Sequence, residues 1–139
     1  RAVVRKHFTP VQANRTLPLV RRIVDDILER GRELRSLAKR QHIAEIQGRI
    51  GQLEVQIRDL VVELESIGCE YKDFSFDKGL VDFPGRVGGQ VVFLCWKEGE
   101  PEVAHYHPLS GGFAERRPLA EATPTLPQKA RPGEKRPGA

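Results

Sequence analysis

The chain has 139 residues and a net charge of +4, with a pI near 9.3. This length suits one domain, and so small an excess of cations is too weak on its own to indicate nucleic-acid binding. The apolar runs are far shorter than the roughly 20 residues that cross a bilayer, and no secretory signal opens the sequence. A cytoplasmic protein without membrane contact is therefore expected, with Cys69 and Cys95 as reduced thiols.

The first helix is predicted to begin at Thr9. Thr9 is a good N-cap, Pro10 suits the first helical position, and Gln12 completes a capping box. Pro18 interrupts the helical pattern, because a proline inside a helix removes one hydrogen bond and clashes with the preceding turn. We therefore expect a short opening turn and a fresh helix start at Pro18.

Two apolar stripes at helical spacing follow. The first contains Val20, Ile23, Val24, Ile27, Leu28, Gly31, Leu34, Leu37 and Ala38. The second alternates steps of three and four, as in a coiled-coil seam: Ile43, Ile46, Ile50, Leu53, Ile57, Leu60, Leu64 and Ile67. The second stripe starts about 180° round from the end of the first, so a turn near residues 39–42 must separate two antiparallel helices. Gly68 is expected to end the second helix.

The segment from about 69 to 113 is predicted to form a small antiparallel sheet. Its strands are Leu80–Phe83, Gln90–Trp96 and Glu102–His107, with a hairpin between the last two and a flexible loop over residues 85–89. The fold class is therefore α+β, with a helical hairpin over about residues 10–67 packed on the sheet in one domain of residues 1–117. The Pro-rich, basic segment 118–139 is too poor in apolar residues to fold and is predicted to be a disordered tail.

Several segments together resemble DUF2203, an uncharacterised family of conserved bacterial proteins. They are "FTPVQANRTLPLV", "GLVDFP", "VVFLCWKEGE", His107 and "GGFAERRPL", and the similarity covers about residues 7–119. The resemblance implies a small bacterial stand-alone domain, and it implies no activity. Gln12 and Tyr106 stand where the family pattern has Glu and Trp, and both substitutions keep the capping and aromatic roles.

The sheet region carries the candidate metal ligands Cys95, His105 and His107, with Cys69 as a further thiol. His105 and His107 share one face of a strand, because side chains two residues apart point the same way. A structural zinc site usually shows a close cysteine pair, which this sequence lacks. Cys95 also lies in an apolar run, where a cysteine behaves as a small buried hydrophobe. We therefore predict no cofactor and keep these residues as candidates only.

Asp82 and His107 are candidate catalytic residues. Asp82 lies among apolar residues, where a carboxylate must be paired or have a shifted pKa, and His107 is the candidate partner. The alternative is structural, with Asp82 bonding the backbone of the Pro84–Gly85 turn. Asp residues commonly stabilise a turn in this way, so we expect the protein not to be an enzyme.

Basic residues concentrate at the predicted tip of the helical hairpin, and acidic ones lie closer to the sheet. The candidate nucleic-acid-binding residues are Arg30, Arg32, Arg35, Lys39, Arg40 and Arg49. Such a patch contacts RNA or DNA phosphates in many proteins, although a solvated helix face is the commoner origin. No aromatic side chain lies among these cations, so base stacking is not expected there.

The stripe on the first helix is wider than one neighbouring helix needs. Either the sheet covers the excess or a second subunit does, in a four-helix arrangement. The candidate dimer-interface residues, which we expect to be exposed on the first helix, are Val24, Leu28 and Leu37. The leading hypothesis is a non-catalytic binding protein that forms a homodimer. One alternative is a nucleic-acid- or ribosome-associated factor that uses the basic hairpin tip and the tail. The other is a metal-binding or hydrolytic site at Asp82 and His107.

Overall fold

The helices come first in the chain and the sheet follows. The computed structural model describes residues 6–122. Helix α1 spans Pro10–Leu37, a 3-10 turn covers Ala38–Arg40, and helix α2 spans Ala44–Ile67. The strands are β1 Glu70–Tyr71, β2 Leu80–Val87, β3 Gln90–Lys97, β4 His105–His107 and β5 Arg117–Pro118. A 3-10 turn, Phe113–Glu115, precedes β5, and the short helix α3, Leu119–Ala122, follows it.

The five strands form one antiparallel sheet in which spatial order equals chain order. The helical hairpin covers one face of this sheet, and the shared core is built from α1, α2 and the central strands. The predicted α+β fold is thus confirmed. Strands β1 and β5 were not predicted, because two residues are too few to show an alternating pattern.

The capping box at the start of α1 forms as predicted. The Gln12 amide donates to Thr9 Oγ1 and the Thr9 amide donates to Gln12 Oε1, each at 3.1 Å. Phe8 and Ala13 flank the cap and are both fully buried. The cap therefore satisfies two backbone donors while its apolar neighbours anchor the helix entry in the core.

Helix α1 runs through Pro18 without a break, so the predicted restart there is wrong. Pro18 is exposed, whereas Leu17 and Val20 beside it are buried. Burying two such side chains contributes about 1.5–3 kcal/mol each, which offsets the roughly 3 kcal/mol that an internal proline costs. The Asn14 side chain also fixes this turn, since it donates to the Val103 carbonyl and accepts from the Val103 amide.

Helices α1 and α2 form the predicted hairpin, and the chain turns between them over residues 38–43. The seam of α2 faces the core, and three of its side chains are buried: Leu53, Ile57 and Leu64. Gly68 ends α2 as predicted, with a φ of +109° and its amide donating to the Leu64 carbonyl.

Strands β2 and β3 form a hairpin closed by Gly88 and Gly89, whose φ values are +59° and +85°. Two positive φ angles in succession suit the right-handed twist of the strands and favour glycine. The predicted flexible loop over 85–89 is therefore wrong, as is the strand end before Pro84. Proline is tolerated there because β1 does not reach it, and the Pro84 carbonyl instead accepts from the Phe8 amide at 2.8 Å.

The dimer-interface candidates Val24, Leu28 and Leu37 are all buried within this chain, so the expectation that they are exposed is wrong. Val24 and Leu28 lie against Gly79, which leads into β2. A Cβ at Gly79 would lie 2.6 Å from Val24 Cγ1 and 3.1 Å from Leu28 Cδ1. The excess width of the α1 stripe is therefore covered by the sheet.

The predicted disordered tail, residues 118–139, is wrong for its first five residues, 118–122. Pro118 ends β5, which pairs with β4, and Leu119–Ala122 form α3 with Ala122 buried. The Leu119 amide donates to the Ala104 carbonyl at 2.8 Å. The remainder of the predicted tail lies outside the described residues.

Candidate functional site

The sheet face turned away from the helices collects the reactive side chains. Asp82 lies opposite Cys95, and Cys95 lies opposite His105, so these three side chains share a face. His107 is two residues beyond His105 and points to the same side. The alternate positions point toward the helices and are fully buried: Val81, Phe83, Leu94 and Trp96.

Asp82 and His107 meet on this face. Asp82 Oδ2 lies 3.1 Å from His107 Nε2, and both side chains are buried. The other ring nitrogen, Nδ1, lies 2.8 Å from the Pro108 carbonyl oxygen, which can only accept. Nδ1 therefore carries a proton, and one further proton lies between Nε2 and the carboxyl group. Within residues 6–122 Asp82 thus bonds His107 rather than the backbone of the Pro84–Gly85 turn.

The environment decides which partner holds the shared proton. Burial raises the pKa of Asp82, because a carboxylate loses its hydration in the interior, while the charge and hydrogen bond of His107 oppose the rise. A raised pKa shifts the shared proton toward the carboxyl oxygen of Asp82. The pair can therefore release one proton to a base, or to the solvent when a cation takes the proton's place.

Cys95 lies beside this pair and is buried. Burial raises the pKa of its thiol to about 11, and the carboxyl group of Asp82 adds to the rise. The positive charge of Arg116 opposes this rise, because Arg116 Nη1 lies 3.9 Å from Cys95 Sγ. Nη1 and Nη2 of Arg116 also both bind the carboxylate of Glu100. The cation that opposes the rise comes from 21 residues away in the chain, so the sequence around Cys95 does not reveal it.

One oxygen of Asp82, Cys95 Sγ and one ring nitrogen of His107 all lie within 4.8 Å of one another. A cavity of about 360 Å³ borders all three side chains. Its other walls are Lys72, Leu80, Phe93, Leu109, Gly111, Gly112 and Phe113. We call the three side chains and this cavity the sheet-face site. Its donor set is one that transition metals of the zinc class accept, namely a carboxylate, a thiolate and an imidazole.

The structure brings two of the candidate metal ligands together and places the others elsewhere. Cys95 and His107 belong to the sheet-face site, whereas His105 lies outside that group, with its Nδ1 3.9 Å from Glu100 Oε2. Cys69 is also apart, buried in the core, where burial raises the pKa of its thiol to about 12.

The sequence analysis names Asp82 and His107 as an alternative metal-binding pair, but it does not place Asp82 beside Cys95, because the register of two strands is needed for that. The usable signal was the pair Gly88–Gly89. If it is taken as a two-residue hairpin turn, residues equally far from it lie opposite each other, and this places Asp82 against Cys95.

Four of the six basic candidates at the hairpin tip are engaged within the chain. Arg49 donates twice to Glu33 at 2.8 Å, and Arg35 pairs with Asp77 at 2.7 Å. Arg30 donates to the side chain of Gln56, and Arg32 donates to the Phe76 carbonyl. In the described part of the chain, only Lys39 and Arg40 of this set have side chains that form no hydrogen bond or ion pair. Nucleic-acid binding stays a prediction, and the structure adds no support to it.

Comparisons with known proteins identify a family and no function. Within residues 6–122, no helix combines the length and apolar character needed to cross a membrane. No curated protein and no solved structure matches the chain. A family described as an uncharacterised conserved protein, DUF2203, matches residues 6–119, which include the whole sheet-face site. The resemblance seen in the sequence is confirmed, and the chain belongs to the DUF2203 family.

Proposed function

We propose that the protein binds one divalent transition-metal ion of the zinc class at the sheet-face site. The ligands are a carboxylate oxygen of Asp82, the thiolate of Cys95 and Nε2 of His107. The observation that carries the proposal is the convergence of these three buried donor atoms within 4.8 Å. This proposal replaces the expectation of no cofactor.

The hydrogen bonds around His107 support a ligand role. A metal-binding histidine almost always donates its second ring N–H to a carboxylate or a backbone carbonyl, which fixes the ring and its tautomer. His107 Nδ1 makes that bond with the Pro108 carbonyl and leaves Nε2 directed at Asp82. A metal ion that replaces the proton between Asp82 and Nε2 therefore needs no change in the ring's other contact.

The number of ligands indicates the kind of site. Structural zinc sites have four protein ligands, whereas sites that exchange a water or substrate have three and keep one position open. Three protein donors border the cavity of about 360 Å³ here. We therefore propose a site that exchanges a small ligand on the metal, rather than a metal that only stabilises the fold.

Cobalt binding tests this proposal directly, with the full chain purified without a histidine tag and stripped by a chelator. Because Cys95 supplies a thiolate, Co²⁺ is expected to produce a sulfur-to-metal charge-transfer band at one equivalent. His107→Ala should weaken Zn²⁺ binding by roughly 100-fold or more, since even partners of metal ligands are worth 10–100-fold.

The second cysteine provides the matched control. Both cysteines are buried, but Cys69 lies in the core away from the sheet-face site. Cys95→Ser should abolish the charge-transfer band, and Cys69→Ser should leave it intact. Absence of the band in the unmodified chain, or its loss in both variants, would refute the proposal.

A further inference from the structure

The outer face of α2 carries an apolar row that the hairpin does not use. Val55 and Val62 are 47% and 53% exposed. They are one heptad apart, so they lie on the same side of the helix. At about 100° per residue this side is opposite the seam that packs in the core. We call Gly48, Gly51, Val55 and Val62, with the neighbouring Glu54 and Arg58, the outer α2 face.

A hollow lies beside this row. Gly51, Gln52, Val55 and Gln56 border a surface depression of about 560 Å³. A Cβ added at Gly51 would meet nothing within 4 Å, so packing inside this chain does not require a glycine there. Glycine inside a helix lowers helix stability. The depression and the unexplained glycine fit a side chain that arrives from outside.

We propose that a second copy of this chain docks on the outer α2 face, with the two α2 helices antiparallel about a twofold axis. In such a pair, residues equally far from the axis along the helix lie opposite each other, and like edges of the helices meet. An axis level with residues 56 and 57 along the helix places Val62 of each copy over Gly51 of the other. Each valine then fills the depression that the other copy presents.

The charges of the outer α2 face fit the same axis. Glu54 and Arg58 lie on one edge of the helix, and the axis places each Arg58 opposite Glu54 of the second copy. Among the described residues neither side chain forms an ion pair with another part of the chain. Val62 thus matches the depression at Gly51 of the other copy, and Arg58 matches Glu54 of the other copy. This self-complementarity of one surface favours a second copy over an unrelated partner. This surface replaces Val24, Leu28 and Leu37 as the basis for a homodimer.

Sedimentation of the full chain over a range of concentrations tests the docking. The unmodified protein is expected to form a reversible dimer. Val62→Glu should leave only monomer, whereas Val11→Glu, at an equally exposed valine on α1, should leave the dimer unchanged. A monomer at every concentration would overturn the proposal, and so would a dimer that Val62→Glu and Val11→Glu affect equally.

Two further variants separate docking from folding. Gly51→Leu fills the depression, so it should abolish the dimer while the unfolding free energy of the monomer stays the same or rises. Arg58→Glu and Glu54→Arg should each weaken the dimer at least tenfold, and the double variant should restore it to within about threefold, since the pairs re-form with reversed sign. Failure of the double variant to recover would reject the assigned axis.

Discussion

Asp82 and His107 share one proton across 3.1 Å, although they lie on strands that are not neighbours. Strand β3 runs between them, and the two side chains meet over it beside Cys95. Because the Pro108 carbonyl accepts a hydrogen bond from the other ring nitrogen of His107, only one proton is shared between Asp82 and His107. The stability of this pair and its exchange with a metal ion both depend on that proton.

Replacing each partner should have unequal costs. Asp82→Asn is expected to cost less than about 1 kcal/mol, because its amide can donate to Nε2 as the protonated carboxyl does. His107→Phe leaves a buried carboxyl group without a partner and should cost about 3 kcal/mol at pH 7. Urea unfolding measures both losses. Equal costs would show that the pair is not bonded in this way.

The cost of His107→Phe should also depend on pH. Burial raises the pKa of Asp82, and this variant removes the two effects of His107 that oppose the rise. The folded-state pKa then lies above the unfolded one, so the penalty is small below the unfolded pKa and grows as pH rises toward the folded one. Unfolding should therefore show a smaller loss at pH 4 than at pH 7. A loss that is independent of pH would contradict this assignment.

Metal binding should release about two protons at pH 7. One is the proton shared by Asp82 and His107, and the other comes from the Cys95 thiol, whose pKa is raised to about 11. Calorimetric titration with Zn²⁺ in buffers of different ionisation enthalpy counts these protons. Cys95→Ser should lower the count to about one, and an unchanged count would exclude Cys95 as a ligand.

Both thiols should be almost unreactive in the folded protein. With pKa values of about 11 for Cys95 and about 12 for Cys69, about 0.1% or less of each is thiolate at pH 8. Alkylation by iodoacetamide, followed by mass spectrometry, is therefore expected to be at least about 100-fold slower than in urea. Added Zn²⁺ should slow the reaction of Cys95 further and leave that of Cys69 unchanged. Equal protection of both thiols would argue against a metal at the sheet-face site.

Two glycines in the helices should respond in opposite directions to the same substitution. A Cβ at Gly31 would lie 2.2 Å from the ring of the buried Phe76, whereas a Cβ at Gly48 would meet nothing. Gly31→Ala is expected to cost about 2–3 kcal/mol by overpacking, and Gly48→Ala to contribute about 1 kcal/mol by removing a helix glycine. Urea midpoints report both. A tolerated Gly31→Ala would mean that Phe76 is not held against α1.

The helical hairpin is predictable because the apolar stripe of each helix indicates which of its faces is buried. Thr9 and Gly68 mark the start of the first helix and the end of the second. The predicted restart at Pro18 is wrong because burial of the neighbouring Leu17 and Val20 offsets the cost of a proline inside the helix. Rules based on local sequence do not include that burial. The predicted strand end at Pro84 is wrong because local rules also leave out distant contacts. The place of Pro84 in β2 depends on Phe8, more than 70 residues earlier in the chain.

The sheet-face site could be predicted only in parts. Asp82 in apolar surroundings indicated a partner, and His107 was the correct choice. Their meeting point with Cys95 depends on the register of β2 with β3, which the Gly88–Gly89 turn sets, and on the register of β3 with β4. No sequence pattern predicts that Arg116 lies near Cys95, because this contact depends on the path of the chain after β4.

The hydrogen bonds of Phe8 have a consequence for solubility. Its amide and its carbonyl bind Pro84 and Arg86, so one residue before α1 takes the place of a strand where β1 has ended. A Cβ at Gly85 would lie 2.6 Å from the Phe8 carbonyl oxygen, which shows how closely this segment covers the edge. Without it the outer half of β2 would offer unpaired backbone groups to other molecules, as aggregating strands do. Phe8 therefore shields this part of the β2 edge from pairing with a strand of another molecule.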